Sequence, residues 1–162
     1  MSVEVSNVEP KEIWKNFVLL NEVPRPSKKE EKVIDFLKLF ASKNNLEFRQ
    51  DEIGNLVITK ESTEGMSNRE TVVLQSHVDM VHEKNNDVDF DFLNSGIKMY
   101  IDGDWIKADG TTLGADNGLG VAAIMAVLES KDISHPKIEA LFTIDEETGM
   151  TGALNLSNSI LT

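Results

Sequence analysis

Cysteine is absent from this sequence. A disulfide scaffold, a thiolate zinc finger and a cysteine nucleophile are therefore excluded, and any metal would have to rest on His, Asp and Glu. Basic residues are scarce as well: 16 Lys and Arg stand against 28 Asp and Glu, a formal net charge of −12. Binding to nucleic acid or to an anionic membrane surface needs clustered Lys and Arg, so neither partner is expected. No run approaches the roughly 20 apolar residues of a membrane span, and no basic segment followed by an apolar one opens the chain, which makes the cytoplasm the expected compartment. Internal repeats, low-complexity tracts and linkers are also lacking. Residues 1–162 thus read as a single domain, long enough to bury a core without staples.

Helical and extended patterns alternate along the chain. Ile13, Trp14, Phe17 and Leu20 recur at helical spacing behind Pro10, until Pro24 and Pro26 end the pattern. Ser27 with Glu30 spells a capping box, and Val33, Ile34, Leu37, Phe40 and Ala41 form the stripe of a second helix. Leu46 to Lys60 reads as a hairpin turning near Gly54. Thr71 to Ser76 is a continuous β-branched and apolar run, the pattern of a strand buried on both faces. A second hairpin is expected from Lys98 to Ala108 around Asp102, Gly103 and Asp104. The glycine-rich stretch Gly114 to Gly120 leads into a helix beginning near Asn117 and running through Leu128. Ile138 to Ile144 reads as a further strand and Gly152 to Leu156 as a weaker helix. The alternation predicts an α/β layered sheet with helices on its faces, where functional residues gather beyond the carboxyl ends of strands.

Three short strings fall at such ends. In His77-Val78-Asp79, extended residues i and i+2 project to the same side, so an imidazole and a carboxylate that orients it can sit together. A His at a strand end is equally served by solvent or a backbone carbonyl. Asp116 lies among small residues that let the backbone approach an ion, and its carboxylate could bridge two cations or simply cap the helix. The surrounding glycines do not make a phosphate loop, since neither GxxxxGK[ST] nor GxGxxG directly after a strand is present. The pair Glu146-Glu147 could divide between a metal and a water or substrate, or form an acidic turn facing solvent. Jointly the strings supply one imidazole and several carboxylates, a set suited to zinc, with cobalt or manganese as substitutes. Two ions about 3.5–4 Å apart would activate a water for amide hydrolysis. His82 and His135 are expected on the surface.

Gln75–Val81 (QSHVDMV), Gly110–Gly118 (GTTLGADNG) and Thr143–Met150 (TIDEETGM), in this order and spacing, resemble the dinuclear zinc peptidases that include aminoacylase, carboxypeptidase G and peptidase T. Pro24–Ser27 (PRPS), Glu83–Asp87 (EKNND) and Tyr100–Ala108 (YIDGDWIKA) extend the resemblance to the aminoacyl-histidine dipeptidases, also called cytosolic nonspecific dipeptidases or bacterial carnosinases. The resemblance implies two zinc ions, with His77 on one, Glu147 on the other and Asp116 bridging them. It makes Asp79 the residue that orients His77, and Glu146 the general base that takes a proton from water and delivers it to the leaving amine. A cis peptide at Asp116–Asn117, a dipeptide substrate of the Xaa-His type or broader, and a homodimeric parent enzyme are further implications. Members of the family are longer, adding a lid or dimerisation domain and the remainder of the catalytic domain with two more metal ligands. The 162 residues are accordingly expected to form the N-terminal portion of such a catalytic domain, inactive alone. Two alternatives stand beside this reading: an acylase or deacetylase of the same family, and a non-catalytic acidic interaction module.

Overall fold

The computed structural model, which describes residues 4–157 and 159–162, turns the alternating signals into a mixed sheet with helices against it. A 3-10 turn, Val5–Asn7, precedes α1 (Lys11–Asn21) and α2 (Glu31–Lys43). Then come β1 (Glu47–Gln50), β2 (Leu56–Lys60), β3 (Val72–His77), β4 (Met99–Asp102), β5 (Trp105–Ala108), α3 (Ala115–Glu129), β6 (Ile138–Thr143), α4 (Glu146–Gly149) and α5 (Thr151–Leu154). The β1–β2 turn forms where expected, because Asp51 Oδ1 accepts the N–H groups of Ile53, Gly54 and Asn55 at 3.1, 2.9 and 2.8 Å.

The main sheet has the order β1-β2-β6-β3, with β6 antiparallel to β2 and parallel to β3. A parallel pair requires a crossover, supplied here by the β4–β5 hairpin and α3. The carboxyl ends of β3 and β6 therefore share one rim with the amino end of α3. β6 is buried along its whole length, and its side chains alternate between the two faces of the sheet with the period of two that a strand imposes. Ile138, Ala140 and Phe142 join Leu56 and Ile58 of β2, Val33 and Leu37 of α2, and Val121, Met125 and Leu128 of α3. Leu141 and Val57 face the other side, where Ile160 meets them. α1 packs on α3 through Phe17, Val18 and Ala122, and Met99 brings in the small hairpin. At the far end of α3, Lys60 Nζ donates to Val127 O at 2.9 Å and Ser130 O at 2.6 Å, placing a cation where the helix dipole is negative.

Two expectations about burial are not met. β3 is not buried on both faces: Val72 and Val73 are 42% and 44% exposed, because among the described residues β3 is the edge strand, paired with β6 alone. His135 is not on the surface. It is 4% exposed, its Nδ1 lies 2.7 Å from Pro136 O, and its main chain pairs with Thr63 on the neighbouring loop. His82 is exposed as expected, with its ring edge-on to Phe92.

Candidate functional site

At the rim, buried His77 presents its two ring nitrogens to different carboxylates. Asp79 Oδ1 lies 3.2 Å from Nδ1, Asp116 Oδ1 3.1 Å from Nε2, and Glu146 Oε2 3.9 Å from Nε2. One donor atom each from His77, Asp116 and Glu147 fall within 4.8 Å of one another. The structure thus brings together the residues singled out from three separate strings.

Asp79 is fully buried and joins segments far apart in the chain. Its Oδ2 accepts the Ser27 hydroxyl at 2.7 Å and the Glu147 N–H at 3.2 Å, and its Oδ1 accepts the Glu146 N–H at 3.0 Å. The carboxylate that orients His77 also satisfies the first free N–H groups of α4, linking the end of β3 to the residues after β6. The capping box expected at Ser27 consequently does not form. α2 starts after Glu30, whose carboxylate accepts the N–H groups of Lys28 at 2.8 Å and Asp145 at 3.1 Å.

Glu146 and Glu147 do not continue the extended chain of β6. Asp145, at φ 50° and ψ 47°, turns the backbone away from β6, and the two glutamates open the single helical turn α4. The hydroxyls of Thr148 and Thr151 donate to the two Asp145 carboxylate oxygens and hold the turn. Both carboxylates nevertheless reach the His77 ring, Glu146 Oε2 at 3.9 Å from Nε2 and a Glu147 oxygen within 4.8 Å of a ring nitrogen. Asp116 does not cap α3. Gly114 occupies the N-cap position at φ 70°, Asp116 is extended at φ −88° and ψ 114°, Asn117 is also non-helical, and the peptide joining the two is cis. Ser76 Oγ donates to Asn117 O at 3.1 Å, and a Cβ at Gly120 would lie 2.1 Å from Asn117 Oδ1 and 2.8 Å from Ser76 Oγ, so a side chain there would displace both.

The loop after β6 is held from the β1–β2 turn. Buried Asn55 donates through Nδ2 to Asp51 Oδ2 and Gly152 O, both at 2.9 Å, and its Oδ1 accepts the Ile144 N–H at 3.3 Å. Asn55→Ala strands these partners and is expected to lower the unfolding free energy by about 1–3 kcal/mol in guanidinium titrations. An unchanged midpoint would show that the loop is held by other contacts.

The charges in the cluster constrain one another. Burial disfavours protonated His77, but hydrogen bonds to Asp79 and Asp116 and the charges of Asp79 and Glu146 prevail and raise it to about 9. Burial also disfavours ionised Asp79, against which His77, the Glu146 N–H and the Ser27 hydroxyl hold it down at about 2. Burial pushes Glu147 above the usual carboxylate range; His77 opposes this, while Asp116 and Glu146 reinforce it. Crowded carboxylates around an imidazole favour a cation among them. One imidazole and two carboxylates are a donor set that a divalent cation could take. A second trio, Glu30, Asp79 and Asp145, is equally close-set, but internal N–H and O–H donors already occupy its oxygens. Asn21 at the end of α1, and Arg25 and Ser27 in the α1–α2 connection, support the cluster; Arg25 and Ser27 left a signal in the Pro24–Ser27 string, and Asn21 left none.

Residues 55–160 match Peptidase family M28, and the chain belongs to that family. It is 44% identical to the cytosol non-specific dipeptidase of Escherichia coli K12 over 98% of its own length and 33% of that protein. The crystal structure of aminoacylhistidine dipeptidase from Vibrio alginolyticus matches it with a TM-score of 0.95 at 47% identity, over 98% of this chain and 32% of that one. A tripeptidase from Staphylococcus aureus matches with a TM-score of 0.77 at 26% identity, over 96% of this chain and 42% of that one. The chain spans about one third of the length of the first two relatives. Among the described residues no helix is long and apolar enough to cross a membrane.

Proposed function

We propose that the rim cluster is the metal site of a dipeptidase, with His77, Asp116 and Glu147 as cation ligands, Asp79 orienting His77, and Glu146 as general base. The observation that carries this reading is the convergence of one imidazole and two carboxylates within 4.8 Å, with Asp79 on the opposite ring nitrogen. Zinc suits this donor set, with cobalt or manganese as substitutes, and when bound would polarise the substrate carbonyl and ease deprotonation of water. The remaining work falls to the side chains. Asp79 keeps the His77 ring in one orientation. Glu146 takes a proton from water onto its carboxylate as the water oxygen attacks the peptide carbon, then passes it to the amine nitrogen as the C–N bond breaks. The names of the relatives support a dipeptide substrate, of the aminoacyl-histidine type or broader, and the cytoplasm as the compartment.

Hydrolysis is proposed for a homodimeric protein of the relatives' length. In the 162 residues alone, two ions would each have two protein ligands, His77 with Asp116 and Asp116 with Glu147, where catalytic zinc usually has three. Zinc calorimetry on the purified chain, beside hydrolysis assays on β-alanyl-histidine and a plain dipeptide, tests both parts. Weak binding without turnover is expected. Turnover by the chain alone would overturn the second part, and complete absence of zinc binding would overturn the site.

A further inference from the structure

Arg25 heads the fully buried side chains of the described residues by size, at 1% exposed, and the proposed chemistry does not use it. It leaves the α1–α2 connection and runs between the two segments that carry His77 and Asp116. Nη1 donates to Val78 O at 3.2 Å and Asp79 O at 3.4 Å, the carbonyls that follow His77. Nη2 donates to Gly114 O at 2.7 Å and to Asn21 Oδ1 at 2.8 Å. Asn21, also 1% exposed, donates in turn through Nδ2 to Leu113 O at 3.0 Å. Two consecutive carbonyls on the His77 side are thereby tied, through one side-chain pair, to two consecutive carbonyls ahead of Asp116. The Met80 N–H on Arg25 O, at 3.1 Å, anchors the bridge from its own main chain. The space is shaped for the guanidinium: a Cβ at Gly114 or Gly118 would lie 2.5 or 2.6 Å from Nη2. Stability alone does not account for the arrangement, because apolar side chains of similar volume generally serve a core as well as a buried cation. A planar fork that reaches several carbonyls at fixed angles offers geometry, which an aliphatic chain cannot.

We propose that Asn21 and Arg25 form a positioning bridge that fixes the separation of His77 from Asp116 and with it the affinity and coordination geometry of the cation site; the second half rests on the metal-site reading given above.

Arg25→Lys, Arg25→Met and Asn21→Ala test this against Lys60→Met, which removes another carbonyl-bound cation at the opposite end of the sheet. Amide hydrogen exchange of the metal-free chains should quicken at residues 113–120 and 78–80 in the bridge variants while the sheet amides stay as in the wild type. Cobalt(II) affinity should fall by about 10–100-fold, the loss typical of removing a supporting partner of a ligand, with an altered visible spectrum. Lys60→Met should lower the melting temperature without either change. Wild-type exchange at 113–120 in both Arg25 variants overturns the bridge, as does quickened exchange with unaltered cobalt affinity and spectrum. Equal effects from Lys60→Met would reduce the role to general stability and overturn it too. A wild-type chain that binds no cobalt sinks the metal-site reading, while the exchange comparison still decides the bridge. If the Arg25 variants do not fold, Asn21→Ala keeps the guanidinium and carries the same comparison.

Discussion

His77→Ala is expected to abolish measurable cation binding by the chain, a loss exceeding the about 10–100-fold that removing a supporting partner produces. The imidazole is the cluster's nitrogen donor and lies 3.1 Å from Asp116. Without it Asp116 and Glu147 are left as two carboxylates on separate segments, at the start of α3 and in α4. Asp116→Asn should have the same effect from the other side. Calorimetry with zinc measures both, and circular dichroism verifies that the variants remain folded. Retention of wild-type affinity by either variant would mean that the cation binds elsewhere.

The largest stability effect is expected at Asp79. Alanine there deprives the Ser27 hydroxyl and the Glu146 and Glu147 N–H groups of their acceptor and leaves His77 without its buried counter-charge. Breaking a buried pair on one side costs about 3–5 kcal/mol. The metal-free protein should also carry a pH signature of the pair. Asp79 is lowered from 3.8 to about 2, so its contribution is complete above about pH 4 and is lost as the pH falls through 2. His77 is raised from 6.5 to about 9, so its contribution is complete below about pH 6.5 and is lost as the pH rises through 9. Denaturant unfolding of the wild type should therefore show a plateau between about pH 4 and 6.5 with decline on both sides, and Asp79→Ala should flatten both arms. Superimposable profiles for the two proteins would mean that the pair does not form.

The parts legible in the sequence were those with local causes. Ile13, Trp14, Phe17 and Leu20 have a spacing that only a helix can use, and Asp51 with Gly54 makes its own turn, so α1 and the β1–β2 hairpin lie within a few residues of expectation. His77, Asp116 and Glu147 were legible because each sits in a short string at the end of a regular element. What supports them was not. Ser27 reaches Asp79 across 52 residues and Asn21 reaches Leu113 across 92, and no periodicity links positions so far apart. Ser27 read as a helix cap because its real acceptor, Asp79, lies in the distant segment that follows β3. The apolar run of β3 likewise cannot reveal that its neighbours leave Val72 and Val73 open. The turn at Glu146 depends on the left-handed backbone of Asp145, a conformation that Asp tolerates without announcing.

The strand order also sets a schedule. β6 is the middle partner that joins β2 to β3, and it is the last of the four strands to leave the ribosome. At about 5–20 residues per second the β1–β2 hairpin can close early, whereas β3 must wait for residues 138–143, its one strand partner among the described residues. Until then Asp79 also lacks the amides of Glu146 and Glu147. A nascent chain halted before Ile138 would hold His77 and Asp116 with the Arg25 contacts between their segments but without the β3–β6 pairing, so Glu146 and Glu147 join the cluster last.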